Sequence, residues 1–319
     1  MSDEKKKVVA PGGPIPPENA HLVKAGEHLE ISASGEVKVV ARATPSPLFK
    51  GSPAMTNATL VLTPGGFRNA SLVHYVQPQH EVQHTATVKR IRNTQTNQFN
   101  IIKEQVILPD EVPALNTGWI CYASWTNDTG SPITEFKTSW VVPPEPATKG
   151  QQTIFLFNGI DPLNTSTGIL QPVLQWGISA AGGGPYWAIA SWYVAGDGHA
   201  YHTDLVRVGA GDRLQGVMTL ASSQGGLFDY VSEFIGIAGT RLPVVGLPEL
   251  VWCNETLEAY SVEQCSDYPA TSKTTFGDIS ISTAAGPVAV TWTPQTNVSD
   301  CGQSAVVNAG AGTIDVNYA

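Results

Sequence analysis

Apolar and polar positions alternate in short runs over most of this chain, and Gly, Pro, Asn and Ser separate the runs at close, fairly regular spacing. Period-two alternation predicts strands, because successive side chains of a strand point to opposite faces. From Asn116 onward the pattern predicts strands at 119–125, 133–142, 153–157, 169–178, 187–194, 203–208, 214–220, 250–260, 278–282 and 288–292. Gly182-Gly183-Gly184-Pro185 and Gly209-Ala210-Gly211-Asp212 read as the clearest turns. No helical period persists for three turns. Residues 116–319 are therefore expected to form one large β-sandwich of the jelly-roll kind.

The first third reads differently. Residues 1–20 are rich in Lys, Pro and Gly and are expected to be a flexible arm. Residues 21–112 carry weaker strand signals at 29–32, 37–40, 58–62, 87–91 and 101–107, which predict a smaller β domain of unassigned role. Pro109-Asp110-Glu111-Val112-Pro113 is the expected linker. The fold class is thus all-β, a two-sheet sandwich with a smaller N-terminal β domain.

Composition supports this class. The 319 residues include 31 Gly and 23 Pro, with 42% apolar and only 14% charged residues. Residues 1–115 carry 12 basic and 10 acidic side chains; residues 116–319 carry 6 and 17. The acidic second part disfavours nucleic acid and anionic lipid as partners. No run approaches the roughly 20 apolar residues of a membrane span. The N-terminus lacks the apolar core of a secretory signal, so an intracellular location or a non-classical export route is expected. Cys121, Cys253, Cys265 and Cys301 have no zinc-knuckle spacing. An oxidising compartment would allow a Cys265–Cys301 disulfide; buried free thiols are the expectation.

One strand draws attention as a candidate site. In Ile169-Leu170-Gln171-Pro172-Val173-Leu174-Gln175-Trp176-Gly177, Gln171, Val173 and Gln175 share a face. Amides on an otherwise apolar strand are costly unless that face is wet or the amides are paired. A cleft wall and a hydrogen-bonded core ladder both satisfy that condition.

An ordered series of motifs surrounds this strand: Trp119–Trp125, Thr138-Ser139-Trp140-Val141-Val142-Pro143, Asn158-Gly159-Ile160-Asp161, Ile169-Leu170-Gln171, Ser191-Trp192-Tyr193, Gly211-Asp212, Glu258 and Thr275-Phe276-Gly277. In that order they resemble the glutamic peptidases, or eqolisins, over about residues 116–285. The resemblance implies a concanavalin-A-like sandwich and an acid-acting endopeptidase with a Gln/Glu catalytic pair. The family's Gln falls on Gln171. Its Glu falls on Glu258 when counted back from Phe276-Gly277. Alternation agrees, since Asn254, Thr256, Glu258 and Tyr260 share one face while Glu255 shares the other with Leu257 and Ala259.

In the implied reaction a Glu258 carboxylate takes a proton from water and the Gln171 amide donates to the oxyanion. Gln175, Ser191, Tyr193 and Tyr260 are the expected substrate-binding residues, with Ser191 and Tyr193 on the cleft face beside the pair. No cofactor or metal is expected. The flanking acids of the family's D-x-W-Y-E-W-Y-P strand are absent, because Trp187, Ile189 and Ser191 stand at its Asp, first Trp and Glu. Gln175 and Phe157 likewise replace an Asp and a Trp. Glu258 is therefore expected to titrate near its ordinary value.

The expected partner is a peptide or protein substrate. A catalytically inactive binding module, taking peptides or glycans, is the alternative, and a structural or assembly protein a third. The sequence leaves the oligomeric state open. His80-Glu81-Val82-Gln83-His84 matches the H-E-x-x-H zinc signature, but its surroundings read as strand rather than the helix that motif needs. His199-Ala200-Tyr201-His202 reads as a solvated loop.

Overall fold

The structure is a computed structural model, and it describes residues 8–41, 89–92, 99–102, 118–162 and 168–318. The strands run in chain order as β1 (Val8–Ala10), β2 (Gly13–Ile15), β3 (Ala20–Leu22), β4 (Glu27–Ile31), β5 (Val37–Ala41), β6 (Lys89–Arg92) and β7 (Phe99–Ile102). They continue as β8 (Trp119–Thr126), β9 (Ile133–Val141), β10 (Thr153–Asp161), β11 (Ile169–Ser179), β12 (Gly182–Val194), β13 (Ala200–His202), β14 (Val206–Arg207), β15 (Arg213–Gln224) and β16 (Leu227–Phe234). The last are β17 (Leu242–Leu247), β18 (Trp252–Tyr260), β19 (Lys273–Thr283), β20 (Gly286–Pro287), β21 (Thr293–Thr296), β22 (Ser304–Asn308) and β23 (Thr313–Asn317). Among the described residues the only helical turns are 3₁₀ turns such as Pro17–Asn19 and Cys265–Asp267.

Two large sheets form the sandwich. The first has the order β21-β8-β18-β10-β11-β12-β13-β3, with β14 also on β12. The second has the order β22-β23-β19-β9-β15-β16-β17-β4-β5, with β20 also on β19. Two apolar clusters fill the space between them. One gathers Trp140, Trp176, Trp187, Phe234, Phe276 and Tyr318; the other gathers Phe136, Leu170, Tyr193, Met218, Tyr230 and Leu29. Trp140 packs edge-on against both Phe234 and Phe276, with ring centroids 5.8 and 5.3 Å away. A third cluster lies on the outer face of the first sheet and contains the candidate site.

The N-terminal expectations change. Residues 8–15 are an ordered hairpin, β1 with β2, rather than part of a flexible arm. Strand β3 pairs in parallel with β13, and β4 pairs in parallel with β17. Leu29 and Ile31 are buried in the inter-sheet core. Residues 20–41 thus extend both sheets of the sandwich instead of starting a separate domain. Two or three short strands alone could not bury those apolar faces, whereas docking on existing sheet edges does. The charge change along the chain, by contrast, reports on surface and not on fold. Strands β6 and β7 pair with each other. The expected strand at 58–62, the linker at 109–113 and the His80–His84 motif lie outside the described residues.

Other differences are local. The expected turn at 182–185 is the start of β12, and the reversal falls at Ala180-Ala181. Gly177 makes the accompanying bulge, with φ +90° and a Cβ position only 2.2 Å from the Gln152 carbonyl oxygen, so only glycine fits. Strands β13, β16, β17, β20, β21, β22 and β23 were not foreseen, and the expected strand at 288–292 is irregular chain, with β21 starting only at Thr293. Cys265 and Cys301 form a disulfide, which corrects the preference for free thiols there, while Cys121 and Cys253 are free and buried.

The disulfide clips the 3₁₀ turn after β18 to the segment before β22, across 36 residues. Cys301→Ala is expected to lower unfolding stability by about 2–4 kcal/mol, since the open loop restores chain entropy to the unfolded state. Urea denaturation of wild type and variant measures this, and an unchanged midpoint contradicts it.

Candidate functional site

Strand β10 lies between β11 and β18 in the first sheet and fixes the site's registration. Phe155 stands opposite Gln175 on one side and opposite Glu258 on the other. Phe157 likewise stands between Val173 and Thr256. Alternation then places Gln171, Val173, Gln175, Thr256, Glu258 and Tyr260 on one face with Phe155 and Phe157. That face is the outer one, and its apolar members join Trp119, Tyr122, Trp192 and Trp252 in the third cluster. Trp119 stacks on Trp252 at 5.8 Å and meets Phe157 edge-on at 5.7 Å.

The N-terminal hairpin covers this face. Its two-residue turn is Pro11-Gly12, where proline presets φ and Gly12 adopts φ +113°. Ala10 and Ile15 are buried in the aromatic cluster. The Val9 carbonyl accepts a bond from Ala180 N at 2.7 Å, which ties β1 to the β11–β12 reversal.

Gln171 and Glu258 meet on one peptide group. Gln171 Nε2 donates to the Pro11 carbonyl oxygen at 3.4 Å. The next atom pair of the same peptide, Gly12 N–H, donates to Glu258 Oε1 and Oε2 at 2.9 and 3.0 Å. The Tyr260 hydroxyl also donates to Glu258 Oε1. Gln171 and Glu258 are fully buried. The Pro11–Gly12 peptide is thus held with its oxygen on an amide donor and its nitrogen on a carboxyl.

Burial pushes the Glu258 carboxyl up to about 8, and the bonds from Tyr260 and Gly12 and the Trp119 side chain draw it only part of the way back. This differs from the sequence-based expectation of an ordinary value. The expectation counted neighbouring charges, but the dominant cause here is removal from water. Burial therefore favours the neutral form of Glu258 over the acid range while the hairpin is seated.

The other expected site residues divide. Tyr260 reaches Glu258 directly. Gln175 shares the face but is consumed by the bulge: its Nε2 donates to the carbonyls of Gly177 and Gly182 at 3.2 and 3.1 Å, and its Oε1 accepts from Ser179 at 2.8 Å. Ser191 and Tyr193 lie on the opposite face. The register pairs Gln171 with Trp192, so Trp192 takes the cleft side and its neighbours point into the sandwich. There Ser191 accepts from Ser232 of the second sheet at 3.1 Å, and the Tyr193 hydroxyl accepts from Gly168 N at 3.2 Å. Alternation within that strand holds, and the register with β11 turns the face of Ser191 and Tyr193 inward, against the expected cleft placement. Glu255 points into the sandwich and accepts from Thr138, as its position beside Leu257 implied.

Pro11, Gly12 and Trp119 were missed as site residues. The hairpin had a visible signal, Pro-Gly-Gly-Pro between Val8-Val9 and Ile15, which the Lys- and Pro-rich composition outweighed. His199 and His202 are not a solvated loop. His202 is buried at the end of β13, and His199 Nδ1 bonds His21 Nε2 of β3 at 2.9 Å.

The raised Glu258 value has a testable sign. A group whose pKa is higher when buried stabilises the seated hairpin below its open-state value of 4.5, and this contribution is lost as pH rises toward about 8. Carboxyl ¹³C NMR of Glu258 should therefore show titration near 8 in the wild type. Substituting Gly12→Pro, which removes the N–H and forbids positive φ, should move it toward the ordinary value. Titration near 4.5 in the wild type contradicts the buried geometry.

Comparison with solved structures gives similarity to a scytalido-glutamic peptidase with a transition state analog inhibitor, at 16% identity, TM-score 0.41, and coverage of 64% of this chain and 98% of that one. It also gives SCP-B, a member of the eqolisin family of peptidases, in a complex with the tripeptide Ala-Ile-His, at 16% identity, TM-score 0.39 and the same coverage. No family model matches the sequence. No curated protein matches it.

Proposed function

We propose that the chain is an eqolisin-like acid endopeptidase, in which Gln171 and Glu258 hydrolyse peptide bonds with an activated water. The observation that carries this reading is the Pro11–Gly12 peptide, whose oxygen rests on Gln171 and whose nitrogen rests on Glu258. Those are the two ends of a peptide bond that hydrolysis must serve. An amide donor at the oxygen stabilises the oxyanion. A carboxyl at the nitrogen can deliver the leaving group's proton.

A substrate peptide takes the same place in the reaction. Glu258 carboxylate takes a proton from water while the water oxygen bonds the carbonyl carbon. Gln171 Nε2–H holds the resulting oxyanion. The intermediate collapses, the C–N bond breaks, and the Glu258 proton passes to the departing amine. Gln171 has no ionisable group, so its role does not fade in acid. Tyr260 orients the carboxyl and supplies a donor to its charged form.

The reaction requires Glu258 ionised, and so in contact with water rather than under the hairpin. With the site open, its pKa falls back toward 4.5, and activity should fade as pH drops below that value. A second reading, a peptide-binding module without cleavage, rests on the seated state: Gly12 N–H spans both carboxylate oxygens and Tyr260 takes one as well, where a lytic water would otherwise sit.

Cleavage of a denatured protein between pH 2 and 8 separates the two. Wild type and Gly12→Pro are both assayed, because the hairpin occupies the site. Cleavage should vanish with Glu258→Gln in either background, and fall about 100-fold or more with Gln171→Ala. Equal rates with and without Glu258→Gln remove Glu258 as the base. No cleavage by either folded chain favours the binding module.

A further inference from the structure

We infer that the Gln171–Glu258 site is a receptor for a Pro-Gly β-turn, filled in cis by the chain's own first hairpin, so that the protein is latent until that hairpin withdraws. The inference rests on the proposed peptide-handling site and adds its ligand class and its regulation.

The hairpin is seated as a ligand is seated, by one polar anchor and flanking apolar contacts. The anchor is the Pro11–Gly12 peptide between Gln171 and Glu258. The flanks are Ala10 and Ile15, both buried among the site's aromatic side chains. Glycine is required at the turn twice over. Its positive φ suits no other residue well, and a Cβ there would press to 3.2 Å from Val194 Cγ1.

The same geometry opposes cleavage of the plug. The bond sits at the apex of a tight turn, not in an extended strand. Its N–H spans both oxygens of Glu258. Burial favours the protonated form of that carboxyl, which is no base, over the acid range. A turn peptide is therefore held without being positioned for attack by water.

The plug is tethered at its far end as well. After the 3₁₀ turn, β3 docks in parallel on β13. His21 of β3 bonds His199 at 2.9 Å and stacks on Tyr201 at 4.9 Å. A short tether of this kind gives the hairpin a high effective concentration over the site, so a free peptide competes poorly with it.

The test uses a fluorescently labelled peptide of residues 8–15, Val-Val-Ala-Pro-Gly-Gly-Pro-Ile, and the full-length chain. Fluorescence anisotropy should show no saturable binding to wild type. Full-length Gly12→Pro, whose own turn cannot seat, should bind it, and Gly12→Ala, a milder change that guards against misfolding, should bind it more weakly. Adding Glu258→Ala to Gly12→Pro should abolish the binding. Equal binding by wild type and Gly12→Pro overturns the plug. So does absence of binding by both glycine variants when circular dichroism shows them folded. Peptidase activity is read in parallel: binding by Gly12→Pro without any cleavage upholds the plug and refutes the peptidase reading, whereas gain of cleavage in Gly12→Pro over wild type supports both.

Discussion

A carboxyl group removed from water is the constraint around which the outer face of this sandwich is organised. Glu258 has no exposure, yet three polar groups, Gly12 N–H, the Tyr260 hydroxyl and the Trp119 side chain, converge on it. A buried carboxyl without partners is costly, and one with donors on its oxygens is tolerated in either protonation state. The Gly12 N–H belongs to the hairpin and not to the sheet. The seated N-terminus and the chemistry of the site are consequently a single feature: moving the hairpin changes the solvation, the pKa and the accessibility of Glu258 together.

The sandwich supplies the rigid support for that feature. Gln171 and Glu258 come from strands of 11 and 9 residues that flank β10, and all three strands are packed on their other face against the second sheet. The face is dry because Trp119, Phe155, Phe157, Trp192 and Trp252 surround the polar pair. In such surroundings a hydrogen bond to an amide or carboxyl is stronger than in water. Gln175, which the sequence offered as a second amide in the cleft, holds the β11–β12 bulge in place instead, and that bulge in turn presents Ala180 N to the hairpin.

Much of this was legible in residue alternation and turn chemistry. Period-two patterning identified most strands after Asn116, and parity separated Glu258 from Glu255. Parity could not say which face of β12 looked outward. That required the pairing of Gln171 with Trp192, and register is a property of two strands rather than of one. The hairpin at 8–15 was hidden for a different reason: its neighbours Lys5-Lys6-Lys7 and the run of prolines have the composition of a disordered tail, and only docking on an apolar face orders it. Burial also escaped the sequence, and with it the upward displacement of Glu258, since nothing along the chain announced that a turn 246 residues away would cover that carboxyl.

Hydrogen exchange of the Gly12 backbone amide, followed by NMR in the wild-type chain at about pH 5, tests the central claim most directly. A donor buried against Glu258 should exchange on the order of 100-fold or more slowly than in an unstructured peptide, because exchange then requires the hairpin to leave the site. Protection should collapse in Glu258→Ala while amides of β10 and β18 stay protected. Exchange of Gly12 at the unstructured rate in the wild type, with those core amides protected, would contradict the account.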